Sequence, residues 1–259
     1  MDAQGFYDAL GQDYDLMVSW EERLAREKSF FARVFDEHRV RRVLDAACGT
    51  GMHAIAFARG GRECVGADIS PVMVERARQN AREAGVPVVF ERAGFGGFSS
   101  RIEGTFDAVT CVGNSFPHIL DDASLRDALS DFARLLGPGG ILVIQNRNYD
   151  RLLRERQRFM PLASRVEGEG ETLFLRITEY APSADSGDES IEFTVVTLKK
   201  RDGRWSQTFQ STPLRALRRN TLESGLLSAG FSSVEVYGSY NFDPFDAPGT
   251  NDLVAIAVK

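Results

Sequence analysis

The order of apolar segments predicts an α/β fold: a mostly parallel, doubly wound sheet that carries a small antiparallel β insertion. Three observations predict it. Short apolar strands alternate with amphipathic helical stretches from Arg41 to Asn148, a pattern that needs right-handed crossovers between parallel strands. From about residue 151 to 215 the segments instead alternate residue by residue, the mark of antiparallel strands. The chain then closes with one helix and two closely joined strands, which suggests a hairpin with one reversed strand.

The elements follow in order. Residues from about 6 to 36 read as helical, because Phe6, Leu10, Tyr14 and Met17, then Leu24, Phe30, Phe31, Val34 and Phe35 recur at helical spacing. RRVLDAA (Arg41–Ala47) is a first strand running into a glycine turn, and HAIAFARGG is a helix with Gly60 and Gly61 near its end. ECVGADIS is a second strand that ends at Asp68. PVMVERARQNAREAG is a helix with Pro71 in its first turn and Gly85 at its stop. PVVFERA, FDAVTCVGN (Phe106–Asn114) and ILVIQNRN (Ile141–Asn148) are the third, fourth and fifth strands. The helix SLRDALSDFARLL lies between the last two and is closed by GPGG. In the insertion, Asp202-Gly203 signals a hairpin turn and PSADSGDES (Pro182–Ser190) a polar loop. NTLESGLLSAGF is a further helix, with Asn220 or Thr221 as its cap, before the strands SVEVYGSY and DLVAIAV.

Composition excludes several classes. The net charge of -6 provides no global basic field for nucleic acid. No apolar run approaches the ~20 residues of a membrane helix. The acidic N-terminus, MDAQGFYDALGQDYD, lacks an apolar signal core, which argues against export and for a cytoplasmic protein. Cys48, Cys64 and Cys111 sit in apolar segments and read as reduced structural thiols. His38, His53 and His118 have no ligand-type spacing, so no metal is expected. The basic run RLLRERQR (Arg151–Arg158) reads as a solvated face rather than a phosphate site.

The glycine turn poses the functional question. VLDAACGTGMHAIAF fits the dinucleotide pattern G-x-G-x-x-A, with Ala54 in the third position. Asp45, however, stands just upstream of Gly49, where a pyrophosphate would be repelled by a carboxylate. A cofactor with a cationic end fits better. S-adenosyl-L-methionine has such an end, an α-amino group and a sulfonium, and has no phosphate. Asp68, at the end of the second strand, suits ribose hydroxyls in either cofactor.

LDAACGTG, GADIS, FDAVTCVGN and LGPGGILVI, in that order, resemble the class I S-adenosylmethionine-dependent methyltransferases over about residues 40 to 150 and again at the C-terminal hairpin. The resemblance implies a seven-stranded, Rossmann-like sheet with its last strand reversed. It implies three regions: a helical lid and cofactor core over 1–150, a substrate-capping insertion over 151–215, and a completing helix and hairpin over 216–259. S-adenosyl-L-methionine is then the cofactor and S-adenosyl-L-homocysteine the product. Asp45, Gly49 and Gly51 would flank the methionine moiety and Asp68 would hold the ribose. Met73 would pack near the adenine or serve as plain helix core. Ala93, Gly94 and Phe95 would contact the adenine, although the acid often found near Gly94 is absent. Gly113 and Asn114 would sit beside the transferable methyl.

A narrower resemblance rests on GNSFPHI (Gly113–Ile119) and RNYD (Arg147–Asp150), which are similar to stretches of glycine N-methyltransferases and their bacterial glycine/sarcosine relatives. Gln145-Asn146 departs from the Asp-His of the animal enzymes. This resemblance implies N-methylation of a small-molecule amine. Arg147 would clamp the acceptor carboxylate through two N–H groups, and Asn114 would hydrogen-bond the carboxylate or orient the amine. His118 would line the pocket or tie the loop to its helix. In the N-terminal helix Tyr14 would make the lid contact and Arg23 would meet the cofactor carboxylate. Tyr180, Trp205, Tyr237, Tyr240 and Phe242 are candidate walls of the acceptor pocket. Three alternatives stand beside this reading. One is a methyltransferase of an amino sugar or a natural-product hydroxyl, the latter with His118 as base. Another is a non-catalytic S-adenosylmethionine-binding protein. The third, a nicotinamide oxidoreductase, is disfavoured by Asp45. The family includes oligomers, which leaves a homo-oligomer open.

Overall fold

The computed structural model describes residues 1–11, 13–168, 170–182 and 189–259. Most of the polar loop expected at 182–190 lies outside them. Five strands form the parallel part of the main sheet: β1 (Arg42–Ala46), β2 (Glu63–Asp68), β3 (Val88–Arg92), β4 (Phe106–Cys111) and β5 (Leu136–Arg147). Two more complete it, β10 (Ser233–Tyr237) and β11 (Asp252–Val258). The order is β3-β2-β1-β4-β5-β11-β10, and β11 runs antiparallel to both β5 and β10. This is the expected seven-stranded sheet with a reversed last strand. Its central strands are almost wholly buried, because helices cover both faces.

On one face lie α3 (Trp20–Glu37), α4 (Met52–Arg59) and α5 (Pro71–Ala84), around a core that includes Phe31, Val43, Phe57 and Phe90. On the other lie α6 (Asp122–Leu135) and α8 (Arg219–Ser228), packed on Leu44, Phe116, Phe132 and Leu142. Helix α5 shows both end signals of its sequence. Ser70 caps it by accepting from the Met73 amide at 3.1 Å, Pro71 opens it, and Gly85 closes it at φ +66°. Helix α8 starts earlier than expected. Its cap is Arg218, neither Asn220 nor Thr221, and the cap makes no side-chain bond. Asp150 accepts from the Arg219 amide at 3.4 Å, so the capping acceptor comes from a distant part of the chain.

The N-terminal stretch is three helices, not one: α1 (Ala3–Leu10), α2 (Asp13–Met17) and α3. Gly11 ends the first at φ +47° and ψ -125°, a conformation that only glycine adopts easily. The apolar period continues across the break, which hid it from the sequence.

After α7 (Tyr149–Glu155) comes a separate antiparallel sheet in chain order, β6 (Ala163–Glu167), β7 (Gly170–Pro182), β8 (Glu189–Arg201) and β9 (Arg204–Arg215). Asp202 (φ +50°) and Gly203 (φ +72°) form its tight turn between the paired Arg201 and Arg204. Helix α1 is wedged between the two sheets: Phe6 and Leu10 pack with Met73 of α5 and with Phe174 and Val195 of the insertion. The basic run points outward, with Arg151 paired to Glu155, Arg156 to Glu189 and Arg158 to Glu179.

Candidate active site

Two adjoining cavities open along the carboxyl ends of the parallel strands, where α/β sites form. The smaller, about 370 Å³, is a slot lined by Ala47, Gly49, Asp68, Ile69, Ala93 and Phe95 among others. The larger, about 690 Å³, lies between the main sheet and the insertion. Tyr7, Tyr14 and His118 border both.

The slot is shaped by backbone. At the end of β1 the chain turns through Ala47 (φ +54°), Gly49 (φ +53°) and Gly51 (φ +80°). A Cβ on Gly51 would come within 2.7 Å of Phe90 and 2.9 Å of Ala77, so this glycine serves the packing of α4 and does not reach the cavity wall. Gly49 does reach it, and donates its amide to Asp68 Oδ2 at 2.9 Å. The Ser70 amide donates to Asp68 Oδ1 at the same distance. Burial pushes the Asp68 carboxyl up to about 6, against the pull of these two amides. The carboxylate is thus fixed at the slot edge with spare acceptor capacity.

Asp45 is placed differently from the expectation. It lies behind the glycine turn and on neither cavity wall. Its Oδ1 accepts from Thr110 Oγ1 at 2.9 Å and its Oδ2 has no partner. Burial raises its pKa, and His53 opposes the rise. Its influence on a ligand is therefore through space. Met73 is also absent from the slot: its side chain is buried in the cluster under α1. Ile69, next to Asp68, takes the wall position, half-exposed and touching the Gly94 position. Ala93, Gly94 and Phe95 all line the slot.

At the larger cavity β4 is followed by Gly113 and Asn114, both with positive φ. Gln145 of β5 accepts the Gly113 amide at 2.8 Å. Asn114 Oδ1 accepts the backbone amide of Arg147 at 2.9 Å, and its amide group bonds the Tyr149 hydroxyl at 3.0 Å. Its carboxamide is therefore a latch between β4 and β5, with less freedom to meet a ligand than the sequence suggested. Arg147 ends β5 and lines the cavity, and its guanidinium makes no hydrogen bond or ion pair among the described residues.

Arg23 reaches the same cavity from α3, close to Gly113, and donates Nε to Glu27 at 3.0 Å. Glu27 also meets His53 Nε2 at 2.6 Å. Burial would raise the Glu27 carboxyl, but the His53 and Arg23 contacts hold it below its usual range. His118 Nε2 contacts the Tyr7 hydroxyl at 3.1 Å, and its Nδ1 is buried without a partner. Burial pushes the imidazole down to about 4, so it is neutral at pH 7.

The aromatic wall candidates from the second half of the chain are corrected. Trp205 is half-exposed on β9, and Tyr240 and Phe242 pack against Phe30 under α3. Tyr237 meets Phe242 edge-on, and Tyr180 donates to the Gln157 carbonyl at 2.9 Å. None of the five lines either cavity. Arg176 and Thr178 of β7 do line the larger one. Sequence reasoning missed both, because nothing local distinguishes them from outward-facing strand residues. Tyr7 was also missed as a wall, although its spacing of one turn-break from Tyr14 was visible.

Residues 43–140 match the methyltransferase domain family. The glycine/sarcosine N-methyltransferase of Parasynechococcus marenigrum is 39% identical over 150 residues, covering 58% of this chain and 53% of that protein. Human glycine N-methyltransferase is 37% identical over 144 residues, 51% of this chain and 49% of that one. The chain thus spans about half the length of the curated relatives it matches. Among solved structures, an S-adenosylmethionine-dependent methyltransferase from Clostridium acetobutylicum superposes with a TM-score of 0.75 at 15% identity, over 98% of this chain and 97% of that one. The sugar N-methyltransferase KedS8 from Streptoalloteichus gives 0.70 at 24% identity, over 91% and 87%. The fold is the α/β fold of S-adenosylmethionine-dependent methyltransferases, and residues 43–140 match a methyltransferase domain. The chain bears a moderate similarity to the glycine/sarcosine N-methyltransferases, over about half its length.

Proposed function

We propose that the protein transfers a methyl group from S-adenosyl-L-methionine to the nitrogen of a small amine that carries a carboxylate, of the glycine or sarcosine type. The observation that carries this reading is the Arg147 guanidinium, which lines the larger cavity and has no partner among the described residues. Arg147 is half-buried at the cavity wall, so its guanidinium is partly desolvated and an anionic ligand would supply the partner it lacks. The similarity to glycine/sarcosine enzymes supports the same acceptor class.

The residues of the slot fit the cofactor. Asp68 is a fixed acceptor for the two ribose hydroxyls, and the flat apolar space between Ile69 and Phe95 suits an adenine. From the adjoining larger cavity Arg23, beside Gly113, suits the cofactor carboxylate, and the Asp45 Oδ2, without a hydrogen-bond partner, places negative potential behind the turn, toward the cationic end. Bound there, the cofactor supplies an electrophilic methyl on a sulfonium. What the chain contributes is alignment. Arg147 fixes the acceptor carboxylate, and the Asn114 latch fixes Arg147 relative to β4, so the amine lone pair is held toward the methyl. Tyr7 and His118 close the passage between the cavities with neutral groups, which excludes water without placing a charge beside the sulfonium.

The test is S-adenosylhomocysteine formation by the purified protein with glycine, sarcosine and dimethylglycine offered singly, beside an amino-sugar and phenol panel. Turnover on glycine or sarcosine that is lost in Arg147→Ala supports the reading. Cofactor binding without turnover on any carboxylated amine sinks it. A larger amine acceptor is the second reading, favoured by the cavity volume of about 690 Å³.

A further inference from the structure

The larger cavity has a roof as well as a floor. The floor is the end of β5, and the roof is the inner face of the insertion sheet. Along β7, residues 172, 174, 176 and 178 share one face, since a strand alternates its side chains. Phe174 uses that face to pack on α1. Arg176 and Thr178 come next on the same face, over the cavity, and both carry a polar atom that is buried without a partner: Arg176 Nε and Thr178 Oγ1. Buried polar atoms in folded proteins are nearly always paired, so two orphans facing one space call for a ligand. Arg176 is also held in place. Its Nη2 donates to the Pro161 carbonyl at 2.9 Å, which sets the plane of the guanidinium and leaves the Nε edge free.

Charge points the same way. Arg147 below and Arg176 above repel one another, and burial together with that repulsion depresses the Arg176 pKa. The acidic groups nearby are otherwise engaged or apart. Glu27 is bound to Arg23 and His53, and Asp252, the register partner of Arg147, accepts from Gln145 at 2.8 Å. Glu22 stands at the rim without an ion pair to either arginine.

We propose that Arg176 and Thr178 form the upper half of the acceptor's anion site, so that the carboxylate is gripped between the main sheet and the insertion sheet. The insertion is then a specificity element, contributing a guanidinium fork and a hydroxyl to the same carboxylate that Arg147 holds from below. Apolar neighbours on the roof, Ile191, Phe193 and Leu214, leave the rest of the acceptor in a dry wall with room for a substituent larger than that of glycine. This inference rests on the carboxylated-amine reading above and adds the residues that select for it.

The probe is ¹³C-labelled acetate, a carboxylate without an amine, titrated by NMR into the full chain saturated with S-adenosylhomocysteine. Binding of acetate is expected to weaken at least tenfold in Arg147→Ala and in Arg176→Gln, and two- to fivefold in Thr178→Val. S-adenosylhomocysteine affinity should stay within twofold in all three. Thr178→Val removes an unpaired hydroxyl without changing shape, so its Tm should hold or rise while acetate binding falls; a purely structural role would not move the two in opposite directions. It also decides the matter if Arg176→Gln unfolds the loop at Pro161. Acetate affinity unchanged in both roof variants but lost in Arg147→Ala overturns the roof and leaves the proposed function standing. Acetate that fails to bind the unaltered protein overturns both.

Discussion

The two cavities are built by opposite means. The slot is largely a backbone site: its floor is a turn of positive-φ residues, Asp68 is pinned there by two amides, and its walls come from the ends of β1, β2 and β3 and from the segment after β4, with Tyr7 and Tyr14 above. The larger cavity is a side-chain site, assembled from α1–α3, the ends of β4 and β5, and the insertion sheet. It gathers five arginines, Arg23, Arg26, Arg147, Arg165 and Arg176, against two glutamates. A backbone site tolerates sequence change around it and binds one cofactor. A side-chain site changes its ligand with each substitution.

Variants that separate the two cavities test the division. The largest effect is expected from Arg147→Ala: kcat/KM for a carboxylated acceptor falls at least about 100-fold while cofactor affinity stays within twofold, measured by steady-state kinetics and calorimetry. Asp68→Asn should do the reverse, weakening S-adenosylhomocysteine about 10- to 100-fold with little change in the acceptor KM of the saturated enzyme. The same group predicts a pH dependence. The Asp68 carboxyl is raised to about 6; if it accepts from the ribose as proposed, S-adenosylhomocysteine should bind more tightly as pH rises from 5 to 7, and that slope should vanish in Asp68→Asn. The sign for stability is opposite. A carboxyl whose folded pKa is raised favours the fold fully below its unfolded value near 4, and the contribution is lost as pH rises through 6. Thermal melts of the ligand-free protein across that window should show it. Ala47→Gly should have the smallest effect: the relief at φ +54° and the greater freedom of the unfolded chain nearly cancel, so Tm should move by no more than about 3 °C.

The same division decides what was legible in the sequence. The slot residues follow strands in a fixed order, so Gly49, Asp68, Ala93, Gly94 and Phe95 could be read from local motifs. Asp45 and Gly51 belong to the same motif but line neither cavity, because a motif gives position along the chain and not which side of a turn a side chain occupies. Asp45 turns back to Thr110, and Gly51 gives space to Phe90. Met73 failed for a related reason. Its position just after Asp68 is near the slot in sequence, but the first turn of α5 points it under α1. Arg176 and Thr178 became candidates only when the register of β7 and β8 set them over Arg147, twenty-nine and thirty-one positions earlier in the chain. The aromatic candidates of the C-terminal segment misled because large rings in a strand or loop are core far more often than pocket.

Tyr7 and His118 form a party wall: each faces both cavities, and a 3.1 Å hydrogen bond and an edge-on ring contact join them. Any rearrangement of that pair when one cavity fills is felt by the occupant of the other. Thermodynamics then imposes reciprocity: whatever factor the acceptor applies to the donor's affinity, the donor applies to the acceptor's. A shared wall turns two binding sites into one ledger.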